Sequence, residues 1–460
     1  MNKKIYILLP DGVGIKNYIF SNIFKNTHFT VEILHNLDLK TLQRSQLELL
    51  QKYKLSKLKS YNESLIEKFL RELIHFTRLV YNSKIKSNES ILSNYMPKKK
   101  SVKHKLFYWL VELIGNGYHQ YKHIKKLELY YQKEIRKSYV YKYYFTVFDK
   151  EKPKKLFCTH QRAVIAAPIF AAAKDAGIKT VTAIYSWDNL PKARLALRSD
   201  YYIVWSPYMR KELKLYYPEI QNNQIKVLGT PQFQFHSKDK YIWSKKEFAT
   251  FYNLDLSKKW ICFSGDDKTT SPHDPEYLEH IAEEIFNSNL NDFWEILLRP
   301  VPTEGFEKYQ HVLDRFPDLI KKCGAAWHLS SNWTNIFPLE KDLYILSSLC
   351  HHADVVVNVG STMALDFSMH NKPSIFINYE ADIRSNWSIK RVYNFEHFKT
   401  IKNLEPVIWL NNKSQLVDIL ENLEQIHNEV KSDMEKWCEK IIPKSLRLES
   451  QHLIKDFLLK

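Results

Sequence analysis

Short apolar runs that end in small or polar turns alternate with amphipathic stretches along most of the chain. The first run covers residues 4–9 and ends in Pro10-Asp11-Gly12-Val13-Gly14, and a helical stretch at 15–24 and an apolar run at 30–34 follow. An unbroken apolar run of this length predicts a strand that is buried on both faces, as in a parallel sheet. The order strand, loop, helix, strand is the opening of a Rossmann-like domain.

The same alternation returns after residue 154. Further strands are predicted at 155–158, 180–184, 201–205, 226–228, 260–263, 294–298, 354–358 and 374–377. Helices are predicted at 163–176, 207–216, 275–287, 344–352, 363–370, 416–440 and 446–459. Because the alternation restarts after about residue 235, the sequence predicts two α/β domains, 1–235 and 236–460, with the terminal helices in the second.

Residues 39–148 interrupt this pattern. They are helical in period, rich in Lys, Tyr and Leu, and without clear strand alternation, so they predict a helical insertion in the first domain. Lys98-Lys99-Lys100 and the stretch 103–144 interleave basic and aromatic side chains. Such a surface is either simply solvated or docks on a membrane interface or an anionic acceptor. Nucleic acid is not expected as a partner, because no nucleic-acid-binding motif accompanies the charge.

Composition bears on partners and location. The net charge of +17 favours anionic partners, although abundant Lys, Asn, Ile and Tyr also fit compositional drift. The five cysteines are scattered without a CxxC pair, which predicts neither a zinc site nor a disulfide framework. The longest uncharged apolar stretch, 164–173, is shorter than the ~18 residues that span a membrane. We therefore expect a cytoplasmic protein, soluble or peripheral at the inner face of the plasma membrane.

Gly360-Ser361-Thr362 lies at a predicted strand-to-helix junction. Free amides and the positive end of a helix bind phosphate, Gly allows close backbone approach, and the two hydroxyls add donors. Asp366 lies one turn into the helix, where a carboxylate could accept from ribose or sugar hydroxyls. The alternative is an ordinary N-cap that needs no ligand.

A resemblance to known enzymes begins at this segment. Residues 353–366, ADVVVNVGSTMALD, with Asn371-Lys372-Pro373 after them, resemble the nucleotide-sugar half of GT-B enzymes. Bacterial surface-glycan glycosyltransferases, CDP-glycerol glycerophosphotransferases and non-hydrolysing UDP-GlcNAc 2-epimerases share this pattern. The resemblance covers roughly residues 1–35 and 150–400. It implies two Rossmann-like domains facing across a cleft, with the donor diphosphate mainly on the C-terminal domain and the acceptor mainly on the N-terminal one.

The resemblance also implies roles for individual residues of the second domain. Gly360, Ser361 and Thr362 would hold phosphate, and Asp366 would assist with the ribose or sugar. Arg299, at a strand end, lies where such enzymes often place a donor-binding cation, although it could be an exposed turn residue. Further donor-side residues are expected in the Ser264-Gly265-Asp266-Asp267 loop, through Gly265, and in the Glu396-His397 turn.

Three residues of the first domain are candidates for a catalytic base. His160 and Asp188 each follow a predicted strand, on the edge where open α/β sheets bind ligands, and Asp11 lies in the glycine loop with Gly12 and Gly14. His160 could instead be a satisfied core histidine, and Asp188 could cap a turn.

Other residues complete the acceptor side. Trp187 could stack on a sugar ring or simply pack, and Asn189 belongs to the same acceptor-side loop. The glycine loop is not a full GxGxxG, because residue 17 is Asn, so a dinucleotide cofactor is poorly supported.

The sequence thus predicts a metal-independent, cofactor-free glycosyltransferase, inverting rather than retaining, with a nucleotide-sugar as co-substrate. The acceptor would be a surface polysaccharide, as in capsule or lipopolysaccharide, or a lipid-linked glycan. The alternatives are a glycerol- or ribitol-phosphate transferase, a nucleotide-sugar 2-epimerase, and a binding protein with a degenerate site.

Overall fold

The computed structural model describes residues 4–12, 14–25, 27–41, 48, 50–97, 100–118, 120–195, 198–330, 336–382 and 387–460. The chain forms two compact units. The first comprises Met1–Thr230 and Glu449–Lys460, and the second comprises Pro231–Ser331 and Ile336–Leu448. Each unit has its own parallel sheet, which confirms the prediction of two Rossmann-like domains.

The first unit contains a seven-stranded sheet in the order β3-β2-β1-β4-β5-β6-β7, and all neighbours are parallel. Its strands are β1 Lys4–Leu9, β2 Thr30–His35, β3 Lys54–Lys57, β4 Lys155–Cys158, β5 Lys179–Ala183, β6 Tyr201–Val204 and β7 Ile225–Val227. Its helices are α1 Leu65–Lys86, α2 Val102–Gly117, α3 Tyr121–Ile135, α4 Tyr139–Glu151, α5 Ala166–Asp175, α6 Pro207–Tyr216 and the C-terminal α16 Ser450–Leu459. A short π-helix, Ile15–Phe20, follows β1.

The second unit contains a six-stranded parallel sheet in the order β10-β9-β8-β13-β14-β15 and a small antiparallel pair, β11-β12. Its strands are β8 Lys259–Ser264, β9 Trp294–Arg299, β10 Ile320–Lys322, β11 Trp327–His328, β12 Phe337–Pro338, β13 Val355–Asn358, β14 Ser374–Ile377 and β15 Ile408–Leu410. Its helices are α7 Lys245–Tyr252, α8 Asp274–Asn287, α9 Gln310–Arg315, α10 Glu340–His352, α11 Met363–Ser368, α12 Ile389–Tyr393, α13 Leu416–Glu421, α14 Leu423–Ile441 and α15 Lys444–Arg447.

Burial explains why the apolar runs form strands. Ile5, Ile7 and Leu8 in β1 and Val355 and Val356 in β13 are fully buried, as both faces of each sheet are covered. Removing that apolar area from water is the main favourable contribution to folding. The long helix α1 starts at Ser64, whose hydroxyl accepts from the amide of Glu67 while the Glu67 carboxylate accepts from the amide of Ser64.

A buried ion pair ties the helical insertion together. The Arg78 side chain on α1 is only 2% exposed, and its Nε donates to Glu128 Oε1 on α3 at 2.9 Å. Its Nη1 donates to the carbonyl of Tyr216 at 3.1 Å. Arg78 thus joins α1 to α3 within the insertion and to α6 outside it, so the insertion is packed against the rest of the first unit.

The structure corrects several expectations. The insertion 39–148 is not purely helical, because Lys54–Lys57 pairs with β2 as an edge strand. The helix α16 belongs to the first unit rather than the second: the Lys155 ammonium donates to the carbonyl of Phe457, and the Tyr201 ring lies edge-on to Phe457 at 5.3 Å. The stretch 416–440 is two helices that break at Asn422. Lys98 and Lys99 of the basic run lie outside the described residues.

The five cysteines are free thiols in buried positions. Within the described ranges, no helix combines the length and the hydropathy needed to cross a bilayer.

Candidate functional site

The carboxyl edge of the first sheet brings Asp11 and His160 together. β1 and β4 are neighbours in the sheet, so the loops that follow them start side by side. His160 Nδ1 lies 2.6 Å from Asp11 Oδ2, and the carboxylate must accept this hydrogen bond. In the neutral imidazole the proton is therefore on Nδ1, and the lone pair is on Nε2. No described residue pairs with that buried Nε2. Two of the three predicted base candidates thus form one Asp–His pair.

Gly14 explains how the two loops approach so closely. A Cβ at this position would lie 2.5 Å from Thr159 Oγ1 and 2.6 Å from Leu9 Cδ1, so only glycine fits. The Gly12 carbonyl accepts from the amide of Ile15 at 3.1 Å and closes the turn. The predicted glycine loop therefore positions Asp11 through steric fit.

Asp188, the third base candidate, is held within its own loop. It accepts from the Lys192 ammonium and from Asn189 Nδ2, the latter at 2.8 Å. Asn189 Oδ1 accepts in turn from Gln161 Nε2 at 2.9 Å, which connects this loop to the one that carries His160. Trp187 is buried, with 2% exposure. The catalytic role of Asp188 and the stacking role of Trp187 stay predictions.

A pocket of about 720 Å³ opens beside the Asp–His pair. Its size is in the range of small-molecule sites. The polar side chains that line it are Asp11, Asn36, Lys57, Ser60, Tyr61, His160, Arg162 and Arg194. The sequence did not single out Arg162 or Arg194 as site residues, because they lie in loops after β4 and β5 whose paths composition does not reveal.

The second unit has its own cluster at the carboxyl edge of its sheet, where β9, β8, β13 and β14 lie in that order. Gly360 follows β13 with φ +70°, a left-handed conformation that L side chains rarely adopt. Asn358 Oδ1 accepts from the amide of Ser361 at 2.7 Å and fixes this loop. The amides of Gly360 and Thr362 have no acceptor among the described residues, and the Thr362 side chain is exposed. The loop thus presents two free donors and a hydroxyl.

The Glu396-His397 turn lies next to the Gly360 loop. A Cβ on Gly360 would lie 2.7 Å from Phe398 Cζ, and the His397 ring centroid is 4.3 Å from that of Phe398. Glu396 is buried and His397 partly exposed. The structure therefore brings together two segments that the sequence assigned separately to the donor side.

Asp366 lies at one end of a chain of two histidines, and Asp366 and His236 are buried. His236 Nε2 donates to Asp366 Oδ1 at 2.9 Å, and His236 Nδ1 lies 3.1 Å from His370 Nε2. Burial, with the neighbouring His236 and His351, lowers the pKa of His370 to about 3. The sequence missed His236 because it lies 130 residues from Asp366. The role of Asp366 toward ribose or sugar stays a prediction.

Arg299 is the last residue of β9, and Gly265 directly follows the neighbouring strand β8. The Gly265 amide donates a hydrogen bond to the Arg299 carbonyl at 3.0 Å. Arg299 is buried rather than an exposed turn residue, and its Nη2 donates to Asp342 Oδ1 at 3.1 Å. Its Nη1 has no partner among the described residues. A Cβ on Gly265 would meet the Tyr309 hydroxyl at 2.1 Å, so this loop also needs glycine.

The two aspartates after Gly265 stabilise the loop itself. Asp267 accepts from the amides of Thr269 and Thr270 at 2.8 and 3.1 Å. The Asp266 amide donates to Asp274 Oδ2 at 2.5 Å, and burial raises the pKa of Asp274 to about 6. Across the described ranges, no three His, Cys, Asp or Glu side chains lie where they could hold a metal ion together.

No protein-family model matches the sequence, and no curated protein matches it. Solved structures do. The wall teichoic acid polymerase TagF, in a variant soaked with CDPG, has a TM-score of 0.52 at 12% identity and covers 99% of this chain and 88% of its own. A glycosyltransferase from Rickettsia africae gives 0.51 at 11% identity, covering 100% and 99%.

The UDP-GlcNAc 2-epimerase from Methanocaldococcus jannaschii is similar to the same degree, with a TM-score of 0.51 at 13% identity and coverage of 99% and 100%. These similarities extend over nearly the whole of each chain, but the identities are too low to carry more than the fold. The chain therefore has the fold of the GT-B-like enzymes, as the sequence resemblance predicts.

Proposed function

We propose that this protein is a glycosyltransferase that moves a sugar from a nucleotide-sugar to a surface polysaccharide or lipid-linked glycan. The observation that carries this proposal is the Asp11–His160 pair beside a pocket of about 720 Å³. A base with an available lone pair next to a sugar-sized pocket is what an acceptor hydroxyl requires before it can attack.

The chemistry on the acceptor side follows from the tautomer. His160 Nε2 takes the proton of the acceptor hydroxyl while the oxygen of that hydroxyl attacks the anomeric carbon of the donor. The bond from that carbon to the diphosphate breaks, and the electron pair leaves with the diphosphate. Asp11 holds the imidazole in orientation and stabilises the imidazolium that forms, as the carboxylate does in other Asp–His pairs. Attack on the face opposite the leaving group inverts the anomeric carbon.

The donor side rests on the Gly360 loop. The amides of Gly360 and Thr362 and the hydroxyls of Ser361 and Thr362 are donors for the diphosphate, whose charge increases as it leaves. The following helix has only six residues, Met363–Ser368, so the loop donors matter more than the helix dipole. Support for a nucleotide-linked donor comes from the structural neighbours, one of which was soaked with CDPG and another of which is named for UDP-GlcNAc.

Product analysis tests the proposal and its alternatives. The assay incubates UDP-, GDP-, CDP- and dTDP-sugars and CDP-glycerol with the protein and with glycan acceptors. Glycosyl transfer releases a nucleoside diphosphate, transfer of glycerol phosphate from CDP-glycerol releases CMP, and epimerisation alters the sugar while it stays on the nucleotide. Transfer should fall about 10²–10⁴-fold in His160→Gln, whereas His28→Gln, at an exposed histidine of the same unit, should not change it. Transfer that is equal in both variants contradicts the proposal.

A membrane-side acceptor is supported by the apolar stripe of helix α2, by which we mean Val102, Leu106, Trp109, Leu110 and Leu113. These side chains recur at helical spacing and are exposed, Val102 by 81% and Trp109 by 52%. Lys100, Lys103 and Lys105 are exposed beside the stripe. A helix with an exposed apolar stripe and flanking lysines suits the interface of an anionic bilayer.

Vesicle flotation tests this membrane contact. The full-length protein should float with vesicles of anionic phosphatidylglycerol and less with neutral phosphatidylcholine. The double variant Trp109→Ser/Leu113→Ser should stay in solution. Leu215→Ser, at another exposed leucine of the first unit, should still float. Equal flotation of all three proteins would show that the α2 stripe does not bind the membrane.

A further inference from the structure

The first unit contains a second, smaller cavity of about 60 Å³ that four arginines line. Its charged and titratable lining residues are Arg71, His75, Glu128, Tyr131, Arg162, Arg194 and Arg198. Arg162, Val164 and Arg194 also line the large pocket beside the Asp–His pair, so the two cavities adjoin. A ligand in the large pocket can therefore extend a group into the small one, which we call the arginine pocket.

Two of the four arginines already have ion-pair partners. Arg71 forms ion pairs with Glu63 and Glu72, both at 2.7 Å. Arg198 pairs with Glu128 and, at 3.1 Å, with Glu219.

Among the described residues, none forms an ion pair within 4.0 Å or a hydrogen bond with the side chain of Arg162 or Arg194. Burial lowers the pKa of both guanidinium groups, and for Arg194 the second cause is repulsion from Arg162. An arginine side chain nevertheless stays charged at neutral pH. Asp188 and Asp11 lie near Arg162, and Glu72 lies near Arg194, but these carboxylates offset the burial of the two charges only in part. The arginine pocket thus holds two positive charges that lack an ion-pair partner among the described residues, and such an arrangement is costly unless an anion enters.

His75 adds a hydrogen-bond acceptor to the arginine pocket. It is buried, and its Nε2 lies 3.1 Å from the carbonyl of Lys192, which can only accept, so Nε2 carries the proton. Burial and the neighbouring arginines lower the pKa of His75 to about 3, so the ring is neutral at pH 7. Its Nδ1 is therefore a buried acceptor with no described partner. The pocket thus offers donors to an anion and, at His75 Nδ1, an acceptor to a hydroxyl.

We infer that the acceptor sugar carries a phosphate or carboxylate group, which Arg162 and Arg194 bind while His75 Nδ1 accepts from an adjacent hydroxyl. This inference rests on the proposed function, since it places the acceptor in the large pocket. The volume supports it: about 60 Å³ accommodates an anionic group or a few waters, not a sugar ring. Paired guanidinium groups are the side chains best suited to bidentate recognition of phosphate and carboxylate.

Calorimetric titration at constant ionic strength, without nucleotide, tests the inference. The probes are glucose 1-phosphate, glucuronate, inorganic phosphate and glucose. Wild type should bind a phosphorylated or carboxylated sugar more tightly than glucose, and the first two probes distinguish phosphate from carboxylate. Arg162→Gln and Arg194→Gln should each weaken that binding about tenfold or more, because each removes a charged donor. Arg210→Gln, at an exposed arginine of the same unit, should not. Equal binding in all variants, or no binding of any anionic probe by wild type, overturns the inference.

A stability measurement guards against variants that fail to fold. Because burial and the neighbouring Arg162 disfavour the charge of Arg194 more than Glu72 favours it, Arg194→Gln without ligand should melt at the wild-type temperature or above it. Glucose 1-phosphate or glucuronate should no longer raise that temperature. The inference is wrong if Arg194→Gln melts below the wild-type temperature and the anionic sugar still raises its melting temperature. Nucleotide binding is measured separately, because it tests the proposed function and not the arginine pocket. A protein that binds an anionic sugar but no nucleotide would support the arginine pocket and contradict the transferase activity.

Discussion

Gly360→Ala should destabilise the protein more than a comparable glycine substitution elsewhere, because the site penalises a Cβ in two ways. The φ of +70° disfavours any L side chain, which costs roughly 1–2 kcal/mol. The new Cβ would also lie 2.7 Å from Phe398 Cζ and 3.3 Å from Tyr393 Cε1, and overpacking of this kind costs typically about 1–3 kcal/mol. The sum is a loss of about 2–5 kcal/mol in the free energy of unfolding.

Gly177→Ala separates the two contributions. Gly177 has φ +77°, but a Cβ there meets no atom within 4 Å, so this variant should lose only the roughly 1–2 kcal/mol of the backbone contribution. Urea denaturation followed by tryptophan fluorescence measures both losses. If Gly360→Ala lowers the free energy of unfolding no more than Gly177→Ala does, the Glu396-His397 turn does not pack closely on the Gly360 loop. The donor-side cluster that depends on this packing would then also be wrong.

Two further predictions concern buried titratable groups. Arg78→Ala should cost about 1.5–3 kcal/mol in urea denaturation, because Glu128 loses a charged donor but keeps its ion pairs with Arg198 and Lys125. A loss below about 1 kcal/mol would contradict the packing described for the insertion. His75→Gln should make the protein less sensitive to acid. The folded-state pKa of His75, about 3, lies below the unfolded value of about 6.5, so below pH 6.5 the unfolded chain takes up a proton that the folded chain does not. Stability is lost as pH falls from 6.5 toward 3, by about 2 kcal/mol between pH 7 and 5. Thermal melts at both pH values should show a smaller loss in His75→Gln, and an equal loss would refute this assignment.

Local sequence patterns predict the sheets well and their edges poorly. β1, β4 and β13 are nearly pure apolar runs, so burial on both faces makes them recognisable. β3, Lys-Leu-Ser-Lys, has a single apolar residue, because an edge strand needs little apolar surface to pair with its neighbour. The C-terminal helix joins the first unit through contacts that only the folded chain creates, since Phe457 meets Lys155 some 300 residues away.

The candidate sites show the same limit. Strand ends identify Asp11, His160 and Gly360, because parallel topology places the carboxyl ends of strands at one edge. Pairings across long sequence separations escape such reasoning, and His236 with Asp366 is one case. The arginine pocket is another, because a guanidinium group is as common on solvated surfaces as in a binding site. Burial without an ion-pair partner distinguishes Arg162 and Arg194 from surface arginines, and the sequence alone does not show it.

The most direct test of the account is nucleotide binding at the Gly360 loop. Calorimetric titration with UDP, GDP, CMP, CDP and dTDP should show one nucleotide binding once per chain. The double variant Ser361→Ala/Thr362→Ala should weaken that binding about tenfold or more, because it removes hydroxyl donors to a charged diphosphate. Ser432→Ala, at an exposed serine of the same unit, should leave binding unchanged. Binding of no nucleotide by wild type, or equal affinity in all three proteins, would contradict the assignment of this loop as the donor site.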